Sequence, residues 1–134
     1  MSIIDISPMA TKALVEEDLQ MWVPVCGVND LYPERGSAAL LSSGQIALFR
    51  LHTGEIYAID QYDPYGKANV MSRGLVGTNG NRPTVASPMY KQVFDLETGE
   101  CLDTMGGDAA TLRTWPVSVR GGIVYVQESI ITGG

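Results

Sequence analysis

Apolar positions along this chain come in short bursts, not in the three-to-four spacing of a long amphipathic helix. From residue 21 onward the pattern is strand-like. Met21-Trp22-Val23-Pro24-Val25-Cys26 opens it, and Pro24, which has no N–H to give to a ladder, predicts an edge strand. The turn residues of Asn29-Asp30-Leu31-Tyr32-Pro33-Glu34-Arg35-Gly36 predict a loop, and the apolar residues 37–41 the next strand. Residues 45–51 and 55–60 flank His52-Thr53-Gly54, a short glycine-bearing connection of the kind that closes a hairpin. Residues 67–74 are polar and end in glycine, 75–77 form a short strand, 78–83 a turn by composition, and 84–86 another strand. A second hairpin joins 92–96 to 101–102 through Glu97-Thr98-Gly99-Glu100, with Gly99 at the left-handed position. After a loop of small residues at 105–110, the chain closes with 112–119, the turn Arg120-Gly121-Gly122, and 123–127. Val117 and Val119 share one face there and Ser118 and Arg120 the other, the period-two pattern of a half-buried antiparallel strand. The sum is about nine or ten short strands with close turns, an all-β sandwich or partly open barrel.

Residues 1–20 break the pattern. Ser7-Pro8 can open a helix over 9–19, where Leu14, Val15 and Leu19 are roughly helically spaced. Glu16, Glu17 and Asp18 would then crowd the negative end of the helix dipole, so 1–20 reads as an N-terminal extension, helical or disordered. Residues 21–127 are the folded domain and 128–134 a C-terminal tail. A chain of 134 residues that is 45% hydrophobic can bury one core. Its net charge of −6 repels phosphate backbones and anionic lipid, so neither nucleic acid nor membrane is expected as a partner. The N-terminus lacks a basic, apolar and small-residue signal sequence, and no run reaches the ~18 apolar residues of a span, so the expected location is cytoplasmic. Cys26 and Cys101, with no CxxC partner, read as semi-buried free thiols, while a disulfide between them needs a geometry that spacing does not give. The single histidine, His52, reads as a solvated turn residue, and Trp22 and Trp115 as core or edge-of-core residues.

The candidate chemistry lies in two short boxes, Tyr62-Asp63-Pro64-Tyr65-Gly66 and Ala86-Ser87-Pro88-Met89-Tyr90-Lys91, each placed where a strand runs into a tight loop. Their shape is that of a metal site, but neither contains Cys or His. By their chemistry, Asp63 and Ser87 cap turns, while Tyr65 and Tyr90 supply ring area and keep a hydroxyl at the surface. Arg73 and Lys91 flank the boxes with positive charge. Loops rich in Tyr, Met and Pro on a rigid β scaffold make contact surfaces. The candidate docking residues are therefore Tyr62, Asp63, Pro64, Tyr65, Arg73, Pro88, Met89, Tyr90 and Lys91. No glycine-rich dinucleotide fingerprint, cysteine cluster or nucleophile-base pair accompanies them, so no catalytic residue is expected.

The boxes and their surroundings resemble the Rieske family, in which C-x-H and C-x-x-H boxes hold a [2Fe-2S] cluster through two thiolates and two imidazoles. Phe94-Asp95-Leu96-Glu97-Thr98-Gly99-Glu100-Cys101-Leu102 is similar to the F-D-x-x-T-G-x-x-L hairpin after the second box. Residues 112–126 are similar to the closing L-x-x-Y-P-V-x-V-x-x-G-x-V-x-V hairpin. On that pattern the ligand positions fall on Asp63, Tyr65, Ser87 and Tyr90, all four replaced. Ser72-Arg73-Gly74-Leu75-Val76-Gly77, the D-P-Y box and Ala86-Ser87-Pro88-Met89-Tyr90-Lys91-Gln92-Val93-Phe94 resemble the small subunit of assimilatory NAD(P)H-dependent nitrite reductase. The resemblance implies a Rieske-like fold, no cofactor on this chain, and a supporting, non-catalytic role beside a large subunit. That large subunit would carry FAD, sirohaem and an iron-sulfur cluster and reduce nitrite to ammonium with NAD(P)H. The alternatives are a Rieske-type ferredoxin with unusual ligands and a free-standing protein-binding module.

Overall fold

Four consecutive residues, Ile46-Ala47-Leu48-Phe49, are buried, with at most 1% of each exposed. A strand alternates its side chains, so a run like this can only be satisfied by a sheet covered on both faces. The computed structural model describes residues 20–129 and has that arrangement. The middle sheet has the order β11 (Thr114–Trp115), β4 (Ile56–Asp60), β3 (Gly44–Arg50) and β2 (Gly36–Leu41). A second sheet, β1 (Gln20–Gly27), β13 (Ile123–Ser129) and β12 (Val117–Arg120), covers the face carrying Ile46, Leu48 and Ala58, which pack with Leu31, Leu41, Val124 and Val126. A third sheet comprises β10 (Cys101–Asp103), β9 (Val93–Asp95), β8 (Arg82–Ala86) and β7 (Leu75–Asn79). On its side Ala47, Phe49 and Ile59 meet Met71, Val85, Phe94, Leu96 and Leu112. The small ladder of β5 (Tyr62–Asp63) with β6 (Ala68–Asn69) carries the first box. Every strand pair is antiparallel, and the sheets do not close into a barrel.

The described residues hold thirteen strands, more than the sequence pattern predicts, because the two-residue ladders β5 and β6 sit inside segments that read as loops and the predicted strand 112–119 is split into β11 and β12. The predicted turn 78–83 is also shorter: β7 runs to Asn79 and β8 starts at Arg82, with Gly80 reversing the chain at φ +67°. Val119 shares the face of Val117, opposite Val124 as Val117 is opposite Val126, but it is 46% exposed because β12 is an edge strand and only Val117 packs against the core. Pro24 does sit on an edge strand, beside a register shift between Pro24 and Cys26. Strand pairing extends through Ser129, and Glu128 is buried, accepting hydrogen bonds from Ser42 Oγ (2.7 Å) and Ser43 N (3.1 Å). His52 is exposed and is held by Glu34, whose Oε2 lies 3.0 Å from Nδ1. The helix or disordered segment expected at 9–19 lies outside the described residues.

The hairpin after the second box is fixed by Asp95. Its Oδ1 accepts from Glu97 N (2.7 Å) and Thr98 N (3.0 Å), and its Oδ2 from Arg82 Nε (2.6 Å). Gly99 ends the turn at φ +78°, and a Cβ there would overlap the Leu112 carbonyl. Gly99→Ala is therefore expected to lower stability by more than about 1 kcal/mol in urea denaturation. Burial pushes the Asp95 carboxyl up, but the N–H groups of Thr98 and Glu97 and the Arg82 guanidinium together outweigh it and hold the group below its ordinary value. Its contribution to stability is complete above the unfolded-state value near ~3.9 and is lost as pH falls through the lower folded value. Asp95→Asn should flatten the acid limb of a stability-versus-pH curve below about pH 4; an unchanged slope there would exclude this role.

Candidate functional site

The two boxes meet where β5 and β8 end. Asp63, at the end of β5, is fully buried, and Ser87, one residue past β8, is 2% exposed. Ser87 Oγ donates a hydrogen bond to Asp63 Oδ2 across the gap between the loops. Each of these side chains also caps its own loop: Asp63 Oδ1 accepts from Tyr65 N at 2.9 Å and Ser87 Oγ from Met89 N at 3.2 Å. Gly66 lets the loops close, since a Cβ there would lie 2.5 Å from Met89 Sδ and 3.0 Å from Asp63 Oδ2. The turn-capping expectation for Asp63 and Ser87 thus holds, and the two residues also satisfy each other.

The tyrosines part company. Tyr65 packs its ring 6.0 Å from that of Phe94 and turns its hydroxyl to the loop after β10. There it donates to the Asp108 carbonyl, accepts from Ala110 N at 3.0 Å, and lies 3.6 Å from Cys101 Sγ. Burial raises the pKa of this hydroxyl above that of an ordinary phenol, the Cys101 thiol adds to the shift, and the Ala110 N–H opposes it. The hydroxyl expected at the surface at Tyr65 is thus not free there but bound by the loop after β10. Tyr90 is 57% exposed and stands out from the second box. Asp63 is likewise withdrawn from the set of docking candidates, because a fully buried carboxyl presents nothing to a partner. Tyr62, Arg73, Pro88, Met89, Tyr90 and Lys91 are exposed, and Pro64 is half-buried beside them.

Two residues here, Gln61 and Lys67, and the contact of Cys101 with Tyr65 were not foreseen from the sequence. Gln61, buried before the first box, accepts from Ser72 N (2.6 Å) and donates to Ser72 Oγ (2.9 Å), fixing the 3-10 turn Met71–Arg73 that presents Arg73. Cys101, a free and half-buried thiol, sits against Tyr65. Lys67 stands four residues after Asp63, as Lys91 stands four after Ser87, a spacing visible in the sequence.

A [2Fe-2S] cluster of Rieske type needs two thiolates and two imidazoles converging from the two loops. Here the matching groups are a carboxyl and a hydroxyl bonded to each other, a phenol turned toward the 104–110 loop, and a phenol directed outward. Gln92 Oε1, beside the second box, is a buried acceptor without a hydrogen-bond partner among the described residues, but an amide oxygen does not replace a soft donor. The residues present do not fit the cluster. No three His, Cys, Asp or Glu side chains are grouped to hold another metal ion among the described residues.

Removing the hydroxyl at Ser87 leaves the buried Asp63 oxygen without its donor. Ser87→Ala is expected to cost about 1–3 kcal/mol in urea unfolding. In a double-mutant cycle with Asp63→Ala the coupling should be about 0.5–3 kcal/mol, and zero coupling would mean that the pair does not join the loops.

The model of the family described as "Rieske-like [2Fe-2S] domain" matches residues 21–127. The nitrite reductase (NADH) small subunit of Escherichia coli K12 is 33% identical over 110 residues, which are 81% of this chain and 99% of that one. The NMR structure of the Escherichia coli protein NirD superposes with a TM-score of 0.71 at 33% identity, covering 81% of this chain and 97% of the other. A nitrite reductase [NAD(P)H] large subunit from Klebsiella oxytoca is 39% identical over 121 residues, 90% of this chain but only 12% of that protein's length. None of the described helical elements is long and apolar enough to cross a membrane. From the boxes outward, fold and sequence agree that this chain belongs to the Rieske-like [2Fe-2S] domain family, among its nitrite reductase small subunits.

Proposed function

We propose that this chain is the cluster-free small subunit of a cytoplasmic, assimilatory NAD(P)H-dependent nitrite reductase, a supporting component with no active site of its own. The observation that carries the reading is the Asp63–Ser87 hydrogen bond: two positions that would ligate iron are bonded to each other inside an otherwise retained Rieske-like frame. In the Klebsiella oxytoca protein a segment similar to this whole domain lies within a large subunit. A domain that works while covalently joined to a catalytic chain is well suited to work beside one as a separate subunit, with an interface replacing the effective concentration of the linkage. The partner is then a large subunit carrying FAD, sirohaem and an iron-sulfur cluster. The docking surface is the exposed end of the two boxes, where Tyr62, Pro64, Pro88, Met89 and Tyr90 stand with Arg73 and Lys91.

Co-expression of the large subunit with and without this chain tests the reading. Nitrite-dependent NAD(P)H oxidation, or the thermal stability of the large subunit, should rise in the presence of the chain, and equal values either way would overturn it. The isolated chain should be colourless and contain no stoichiometric iron or acid-labile sulfide; a Rieske-type spectrum would instead favour an electron carrier.

A further inference from the structure

The two box loops are built to one plan. In each, the first side chain accepts a hydrogen bond from the N–H two residues on, Tyr65 N to Asp63 and Met89 N to Ser87. In each, the N–H four residues on returns to the backbone carbonyl of that same first residue, Lys67 N to Asp63 O at 2.7 Å and Lys91 N to Ser87 O at 3.1 Å. The returning residue is left-handed both times, with φ +57° at Lys67 and +67° at Lys91. Glycine adopts this backbone without penalty, whereas an L side chain strains it. Both loops nonetheless place a lysine there. The strain is thus borne twice, at equivalent positions, by the same cationic side chain, which points to a use for the charge.

The surroundings say what kind of use. Both lysines are exposed, as is Arg73, and none of the three forms an ion pair among the described residues, whereas Arg82 and Arg113 are bound to carboxylates. The box loops also carry Tyr62, Met89 and Tyr90, and the neighbouring loop Met105, each at least 43% exposed, while Leu75, which pairs with Ala86 at the foot of the second box, is 77% exposed. Asp103 and Asp108 are the acidic groups on the neighbouring loop. A protein of net charge −6 therefore gathers free cations around an apolar centre at one end.

We infer that this end fits one occupant, an apolar patch bordered by carboxylates on the nitrite reductase large subunit, with Lys67 and Lys91 as paired charges that guide and orient docking. The inference rests on the reading of the chain as that enzyme's small subunit. Exposed rim charges of this kind act mainly on the association rate and its salt dependence.

The test is association of the purified chain with its large subunit, followed kinetically at low and high salt. The double charge reversal Lys67→Glu with Lys91→Glu should slow association at least about tenfold at low ionic strength, with the deficit shrinking as salt rises. Arg120→Glu, at the end of β12 and outside the box loops, should have a much smaller effect. The double variant Lys67→Gly with Lys91→Gly relieves the left-handed strain, so it should unfold no earlier than the wild type and still associate more slowly. A complex that forms normally and whose rate ignores both double variants overturns the inference alone. Absence of any complex with the wild-type chain overturns the small-subunit reading and the inference with it.

Discussion

A buried carboxyl and a buried hydroxyl, bonded to each other between two loops, are the constraint on which the functional end of this molecule depends. A polar group taken out of water without a partner costs about 1–3 kcal/mol, so Asp63 and Ser87 hold their loops in register as long as both are present. Each also caps its own loop, which couples the conformation of one box to that of the other. Tyr65 extends the connection by carrying its hydroxyl to the Asp108 carbonyl and the Ala110 amide, so that a third loop is tied to the same end.

Such a network is affordable only on a rigid platform. The middle sheet supplies it by burying both faces: Phe49 and Ile59 meet Phe94 and Val85 on the side below the boxes, while Ile46 and Leu48 meet Val124 and Val126 on the other. Phe94 joins platform to site, lying in the core and touching the ring of Tyr65 at its edge. The Arg82–Asp95 contact then links β8, which leads into the second box, to the hairpin that follows it. Chemistry at the tip can be exchanged while this frame stands, because frame and tip share few residues.

Electrostatics divides the surface in the same way. Three arginines are tied to the fold: Arg82 to Asp95 and Glu100, Arg113 to Asp60 and over the Trp115 ring at 5.0 Å, and Arg50 to the carbonyls of Val28 and Leu31. These cations bind the fold together. The cations of the box loops have no such partners among the described residues, which leaves them available for contact.

By itself the sequence determined the fold class, the main hairpins, the left-handed Gly99, the edge position of β1 and the place of the two boxes. These are properties of local spacing, of glycine and proline backbone limits, and of motif order, and all are short-range. It also held, unread, the matching offsets that put a lysine four residues after both Asp63 and Ser87. What only the tertiary structure decided depends on which distant segments meet. Asp63 and Ser87 are 24 residues apart, and Tyr65 reaches partners 36 to 45 residues away. No local pattern foretells that one tyrosine is bound by a neighbouring loop and the other stands out from its box, or that the Asp63 carboxyl has none of its area exposed. Those outcomes follow from how three loops pack at the end of two sheets, where each polar group must find a partner inside or face water.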